Sequence, residues 1–117
     1  MPAGKLNLII EQGSTFEKIL FWKDIDGNFM DLTGYEACMQ IRSQIGSTSV
    51  LLELTDGNGR IVLGGTTGQV TLVLTAAETT NLNWTDGVYD IKLTSPGGNT
   101  KRLLEGTIKV SKSVTKC

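Results

Sequence analysis

The chain contains no histidine. That absence removes the commonest general base at neutral pH, the usual nucleophile–histidine pairings of hydrolases, and the commonest nitrogen ligand for metals. Cysteine is nearly absent too, with Cys38 and Cys117 the only two in 117 residues. One falls inside an expected strand and the other at the final position, so the sequence leaves a disulfide between them open. For a protein made in a reducing cytosol, the expectation for Cys38 is a passive, free thiol. Neither sign of charge dominates, because 11 basic and 12 acidic residues leave a net charge of −1. Such a balance does not draw a protein in bulk to phosphate or to an anionic membrane surface, which argues against nucleic acid and membrane as partners. No apolar run approaches the roughly 20 residues that span a bilayer, and the opening "MPAGKLNLIIEQG" has too short an apolar core for a secretory signal. The expectation is a soluble protein made inside a cell.

What the sequence does have is alternation. Short runs rich in Val, Ile, Leu and Thr recur along the chain, with apolar side chains at every second position, separated by clusters of Gly, Asn and Asp. Strands are expected at Leu6 to Glu11, Phe16 to Lys23, Glu36 to Arg42, Val50 to Thr55, Ile61 to Leu63, Gln69 to Leu74, Val88 to Ser95 and Lys101 to Ser111. These eight runs and the chain length predict one all-β domain over residues 1–117, an immunoglobulin-like antiparallel sandwich of about eight strands. Asp26-Gly27, Asp56-Gly57, Asn58-Gly59 and Gly97-Gly98 supply turn residues, from which most consecutive strands are expected to be hairpin neighbours. One segment departs from the pattern: "TAAETTNLNW" offers Thr75 as an N-cap and Glu78 three residues on, a capping box that predicts a short helix around 76–83 crossing one end of the sandwich. The termini, residues 1–5 and 112–117, are expected to be loose.

Alternation also sorts the faces. Ala37, Met39 and Ile41, then Val70, Leu72 and Leu74, then Tyr89, Ile91 and Leu93 are expected to point inward, joined by Phe16, Leu20 and Trp22. In the last strand Leu104, Gly106, Ile108 and Val110 share a face, with Gly106 expected to mark a bulge or a close backbone approach. Ile19, Phe21, Val88 and Leu103 lie out of phase with this set, so they leave apolar surface on the outside and point to a partner.

Nothing in the motifs adds up to a reaction centre. The loop "DIDGN", Asp24 to Asn28, resembles the opening of a calcium loop but lacks the later bidentate glutamate, and a turn accounts for it; "DGNG", Asp56 to Gly59, is read the same way. "LGGTTGQ", Leu63 to Gln69, runs from strand to strand without the helix N-terminus that a phosphate cradle uses. Glu53, Glu78, Asp90 and Glu105 are spread over strands and the helix start, where capping and ion pairs explain them. No catalytic, cofactor-binding or metal-binding residue is therefore assigned, and the chain is not expected to be an enzyme. Trp22 and Trp84 offer two readings: packing anchors, or a platform on which a host glycan stacks.

The order of landmarks carries a resemblance. "IEQGSTF", "FWKDIDGNFMDLTGYEACMQIR", "LLELT", "VTLVLTAAETTNLNW" and "GVYDIKLTSPGGNTKRLLEGTIKVS" follow one another from Ile9 to Ser111. In this order they resemble a family of small virion proteins of tailed bacteriophages, and more distantly the N-terminal immunoglobulin-like domain of phage baseplate upper proteins. The most distinctive pieces are the Trp-x-Asp turn at Trp22 to Asp24, "DLTGY" at Asp31 to Tyr35, the helix start, and "RLLEG" at Arg102 to Gly106. The resemblance implies an accessory structural protein of the virion, located at the tail, baseplate or fibre region. It would bind other virion proteins in several symmetric copies and carry no catalytic residues or cofactor. A capsid decoration protein is the alternative within that class, and a carbohydrate-binding host-recognition module the alternative outside it.

Overall fold

Strands that bury alternate side chains can hide only one face each, and this chain resolves the problem by stacking two sheets. The computed structural model describes residues 4–115. Its strands are β1 (Gly4–Lys5), β2 (Leu8–Glu11), β3 (Phe16–Phe21), β4 (Glu36–Arg42), β5 (Leu52–Thr55), β6 (Ile61–Leu63), β7 (Gln69–Leu74), β8 (Asp86–Thr94) and β9 (Thr100–Ser111), with one helix, α1 (Ala76–Thr80). The larger sheet runs β5-β4-β8-β9, with β1 and β2 both laid parallel along the far side of β9. The smaller sheet runs β3-β7-β6 and is antiparallel throughout.

Between the sheets lies a continuous apolar core, and the expected inward set fills it. Ala37, Met39 and Ile41 of β4, Val70, Leu72 and Leu74 of β7, Tyr89, Ile91 and Leu93 of β8, and Ile108 and Val110 of β9 are buried. Phe16, Leu20, Trp22 and Leu104 pack against them half-buried. The register explains the layering, since Met39 stands opposite Ile91, and Ile41 opposite Tyr89, across the centre of the larger sheet.

Several expectations are corrected. The first strand is split in two by Leu6 and Asn7, giving nine strands among the described residues, and the arm expected to be loose is tied down from Gly4 onward, with Gly4 and Lys5 in register with Leu104 and Glu105. At the other end Lys112 donates to the Leu82 carbonyl, and the Ser113 N–H donates to the Gln12 side-chain oxygen, so residues 112 and 113 are anchored as well. Residues 1–3, 116 and 117, including Cys117 and its cysteine pairing, lie outside the described residues. Only β4–β5, β6–β7 and β8–β9 pair as consecutive strands. At Asp56 to Gly59 the chain instead passes from the larger sheet to the smaller, because turn residues signal a reversal without saying which sheet the next strand joins.

The capping box forms as expected, Glu78 N–H donating to the Thr75 hydroxyl and Thr75 N–H to the Glu78 carboxylate. The helix stops at Thr80, however, short of residue 83. Thr79 and Thr80 turn their hydroxyls back toward the chain, Asn81 follows as the cap, and Leu82 must swing into the core, which a continued helix would prevent. Thr79 is fully buried; its hydroxyl accepts from Gly13 N–H and donates to the Ser14 carbonyl, pinning α1 to the β2–β3 turn.

Gly106 marks a close approach rather than a bulge. A Cβ there would overlap the Leu6 carbonyl oxygen, while the bulge falls at Leu103, which the ladder to β8 skips. The same Leu6 carbonyl accepts the Tyr89 hydroxyl at 2.5 Å. Burial pushes the Tyr89 phenol up to about 12, since its ionised form would lose water without gaining a cation.

Two outcomes follow. Ile91→Ala should destabilise the fold by about 2 to 5 kcal/mol, and Lys92→Ala, on the outward position beside it, by well under ~1 kcal/mol, both read from urea unfolding. Because the folded phenol titrates above the unfolded one at about 10, its stabilising contribution is complete below that pH and is lost as pH rises toward 12. Tyr89→Phe should flatten that part of the stability-versus-pH curve.

Candidate docking surface

The two outer faces of the sandwich are chemically different. On the larger sheet, charges of both signs are interleaved and bonded to one another. Gln40 donates to Glu53 at 2.7 Å and accepts from Arg42 at 2.7 Å, while Arg102 lies 3.4 Å from both Asp90 and Glu105. Such exposed pairs contribute little stability and leave the face well solvated. Cys38 opens onto this face between Thr55 and Lys92, and desolvation first, then the nearby Glu53 carboxylate, pushes its thiol up, so it stays protonated at neutral pH.

The smaller sheet presents the opposite character. Its outward positions are Glu17, Ile19 and Phe21 on β3, Gln69, Thr71 and Val73 on β7, and Val62 on β6. Register places Ile19, Thr71 and Val62 abreast, with Phe21 and Gln69 one row above and Glu17 and Val73 one row below. Gly64 donates to the Gln69 carbonyl, so it completes the row of Phe21. A fourth row comes from the loop after β3. Trp22 donates to the Gly68 carbonyl at 2.8 Å and accepts the Met30 N–H at 2.9 Å. The N–H and C=O of one strand residue point to the same side, so residues 28–30 continue the lane that β7 leaves. Phe29 is thereby bridged to Lys23, and its ring lies 5.6 Å from that of Phe21. The Lys23 ammonium sits 4.9 Å over the Phe29 ring.

Ile19, Phe21, Phe29 and Val62 are 47%, 55%, 51% and 52% exposed. Together they form an apolar strip of roughly a few hundred Å², comparable to the largest exposed patch of an ordinary single domain, which is often functional. Alternation had singled out Ile19 and Phe21. Val88 and Leu103, the other two out-of-phase residues, are half-buried and belong to the larger sheet. Alternation does not reveal Phe29 and Val62, because Phe29 reaches the face through a loop and Val62 through a strand of three residues.

The remaining sequence candidates have structural roles. The Asp24 carboxylate accepts the N–H groups of Asp26 and Asn28, closing its own turn. Asp56 accepts the Ala37 N–H, and Asn58 holds Thr55 and Arg60. Glu78, besides capping α1, meets Arg60 at 2.5 Å. The glycine-rich loop contains a short 3₁₀ turn at Gly65–Thr67 and is tied to the β3–β4 connection, the Leu32 N–H donating to the Gly65 carbonyl. Trp22 packs edge-on against Tyr35 with ring centroids 6.1 Å apart, and Trp84 is half-buried against the core. Both are packing anchors in this structure. Among the described residues no cluster of three His, Cys, Asp or Glu could hold a metal ion.

Neither a family model nor a curated protein sequence matches this chain. Among solved structures it is similar to a chain in the crystal structure of ICOS in complex with ICOS-L and an anti-ICOS-L VNAR domain, with TM-score 0.55 and 16% identity over 93% of the present chain. The present chain spans 56% of that one. It also matches an extracellular domain of the voltage-gated sodium channel beta4 subunit, from a study of parallel homodimers in cell–cell adhesion, with TM-score 0.49 and 13% identity over 97% of each chain. The architecture is an all-β immunoglobulin-like sandwich.

The division between faces is checked by serine substitution. Ile19→Ser and Phe21→Ser should each change stability by less than about 1 kcal/mol, whereas Leu20→Ser, between them but turned inward, should cost about 2 kcal/mol or more in urea unfolding.

Proposed function

We propose that this chain is a non-catalytic docking module that binds protein through the outer face of its smaller sheet. The observation that carries this reading is the exposed apolar strip of Ile19, Phe21, Phe29 and Val62 on a sandwich whose other face, apart from Ile9 on β2, is largely charged and solvated. The strip's partner gains by covering aromatic and branched side chains that stand ready on a rigid sheet, and the polar rim of Glu17, Lys23 and Gln69 supplies orientation. The immunoglobulin-like fold accords with such a role, since its sheets offer flat faces without requiring a reaction centre.

The finer reading rests on the resemblance in the order of sequence landmarks. On it, the module is a structural protein of a tailed-bacteriophage virion, made in the host cytoplasm and built into the tail, baseplate or fibre region beside other virion proteins. The half-burial of Trp22 and Trp84 speaks against a glycan platform made from that pair.

The expected result is that mass spectrometry of purified particles finds the protein, and that antibody labelling in electron microscopy places it at the tail or its tip. Its absence from the particles would overturn the virion reading, and label spread over the head would replace the tail location with capsid decoration.

A further inference from the structure

We propose that a second copy of this chain covers the outer face of the smaller sheet, packed face to face about a twofold axis that lies midway between the two sheets and parallel to them, across the strands, at the level of Leu20. The proposal takes the surface from the docking reading above and names its occupant.

A twofold axis so placed leaves each strand lane facing itself with its direction reversed. What then meets follows from the register. In the lane of β3, Glu17 faces Lys23 of the second copy and Ile19 faces Phe21. In the lane of β7 and its continuation, Val73 faces Phe29, while Thr71, buried and already accepting from its own Gln69, lies beneath the Gln69 of the second copy. In the lane of β6, Val62 faces Gly64, over which the Thr67 hydroxyl is folded. The pairings in the lanes of β3 and β7 are thus of compatible chemistry, acid with base and apolar with apolar. The symmetry repeats each of them twice.

Charge decides the register. Glu17 and Lys23 are exposed, and among the described residues neither has an ion-pair partner within the chain. A strip flanked by opposite charges at equal distances from Leu20, the Lys23 ammonium resting over the Phe29 ring, is complementary to itself in this antiparallel arrangement, and a parallel stacking of β3 on itself would set like charges together. Edge-to-edge pairing of β3 is disfavoured by Lys18, a charge turned inward on the edge strand, and it would leave the apolar strip uncovered. The strip is smaller than the roughly 800 Å² per partner of a standard stable interface, so the association is expected in the micromolar range.

Sedimentation velocity of the full chain, followed from about 1 µM to about 1 mM, tests this. The wild-type protein should shift from monomer to dimer as concentration rises. Glu17→Lys alone and Lys23→Glu alone should each weaken the dimer roughly tenfold or more, since the symmetry counts each altered pair twice, and the double variant E17K/K23E should return to within about threefold of wild type. Both positions are exposed, so circular dichroism should show all three variants folded. Monomer throughout the range, or a double variant as weak as the singles, would overturn the proposal. Were the isolated chain monomeric while particles still lost it on Phe21→Asp, self-pairing would be overturned and the docking reading would stand. A dimer with the expected charge-swap behaviour, in a chain absent from particles, would uphold the pairing and sink the virion reading.

Discussion

The shape of this molecule turns on one carbonyl group. The Leu6 oxygen is held by the Tyr89 hydroxyl and occupies the space that a side chain on Gly106 would fill. The hydrogen bond and the missing Cβ together let the first segment lie flat against β9, so that Gly4–Lys5 and Leu8–Glu11 extend the larger sheet in parallel. Had that segment paired with β3 instead, the smaller sheet would have gained a fourth strand and β3 would have ceased to be its edge. As it stands, six strands belong to one sheet and three to the other.

That uneven division sets where function can reside. The larger sheet interleaves both signs of charge on its outer face, a surface that water satisfies. The smaller sheet carries Ile19, Phe21 and Val62 outward, and the Trp22–Met30 hydrogen bond brings Phe29 beside them. Glu17 and Lys23 close the two ends of the strip. A rigid sheet lends these side chains little entropy to lose on association, so a modest apolar area can hold a partner in a fixed orientation. Many copies held close together in a particle would strengthen such contacts through effective concentration.

Much of this was legible in the sequence. Short apolar runs between turn residues mark the bounds of β4, β6 and β7, and alternation marks the inward set around Ile91, because burying one face fixes the phase of a strand. The capping box of Thr75 and Glu78 was readable for the same local reason. What was not readable is non-local. No spacing says that Asp56 to Gly59 carries the chain between sheets, that Leu82 ends the helix by entering the core, or that Gly4 pairs with Leu104 a whole chain away. The docking face was half visible: Ile19 and Phe21 were out of phase with the core, but Phe29 joins them through a loop whose path depends on Gly68 approaching the Trp22 carbonyl.

On the proposed reading, association covers the outer face of the smaller sheet. Hydroxyl-radical footprinting read by mass spectrometry measures this directly, because oxidation reports the solvent access of individual side chains. On passing from dilute chain to its assembled state, Phe21 and Phe29 should become protected, while Ile45, exposed on the β4–β5 loop, keeps its reactivity. Unchanged oxidation of Phe21 and Phe29, with protection appearing on the larger sheet's face instead, would contradict the account.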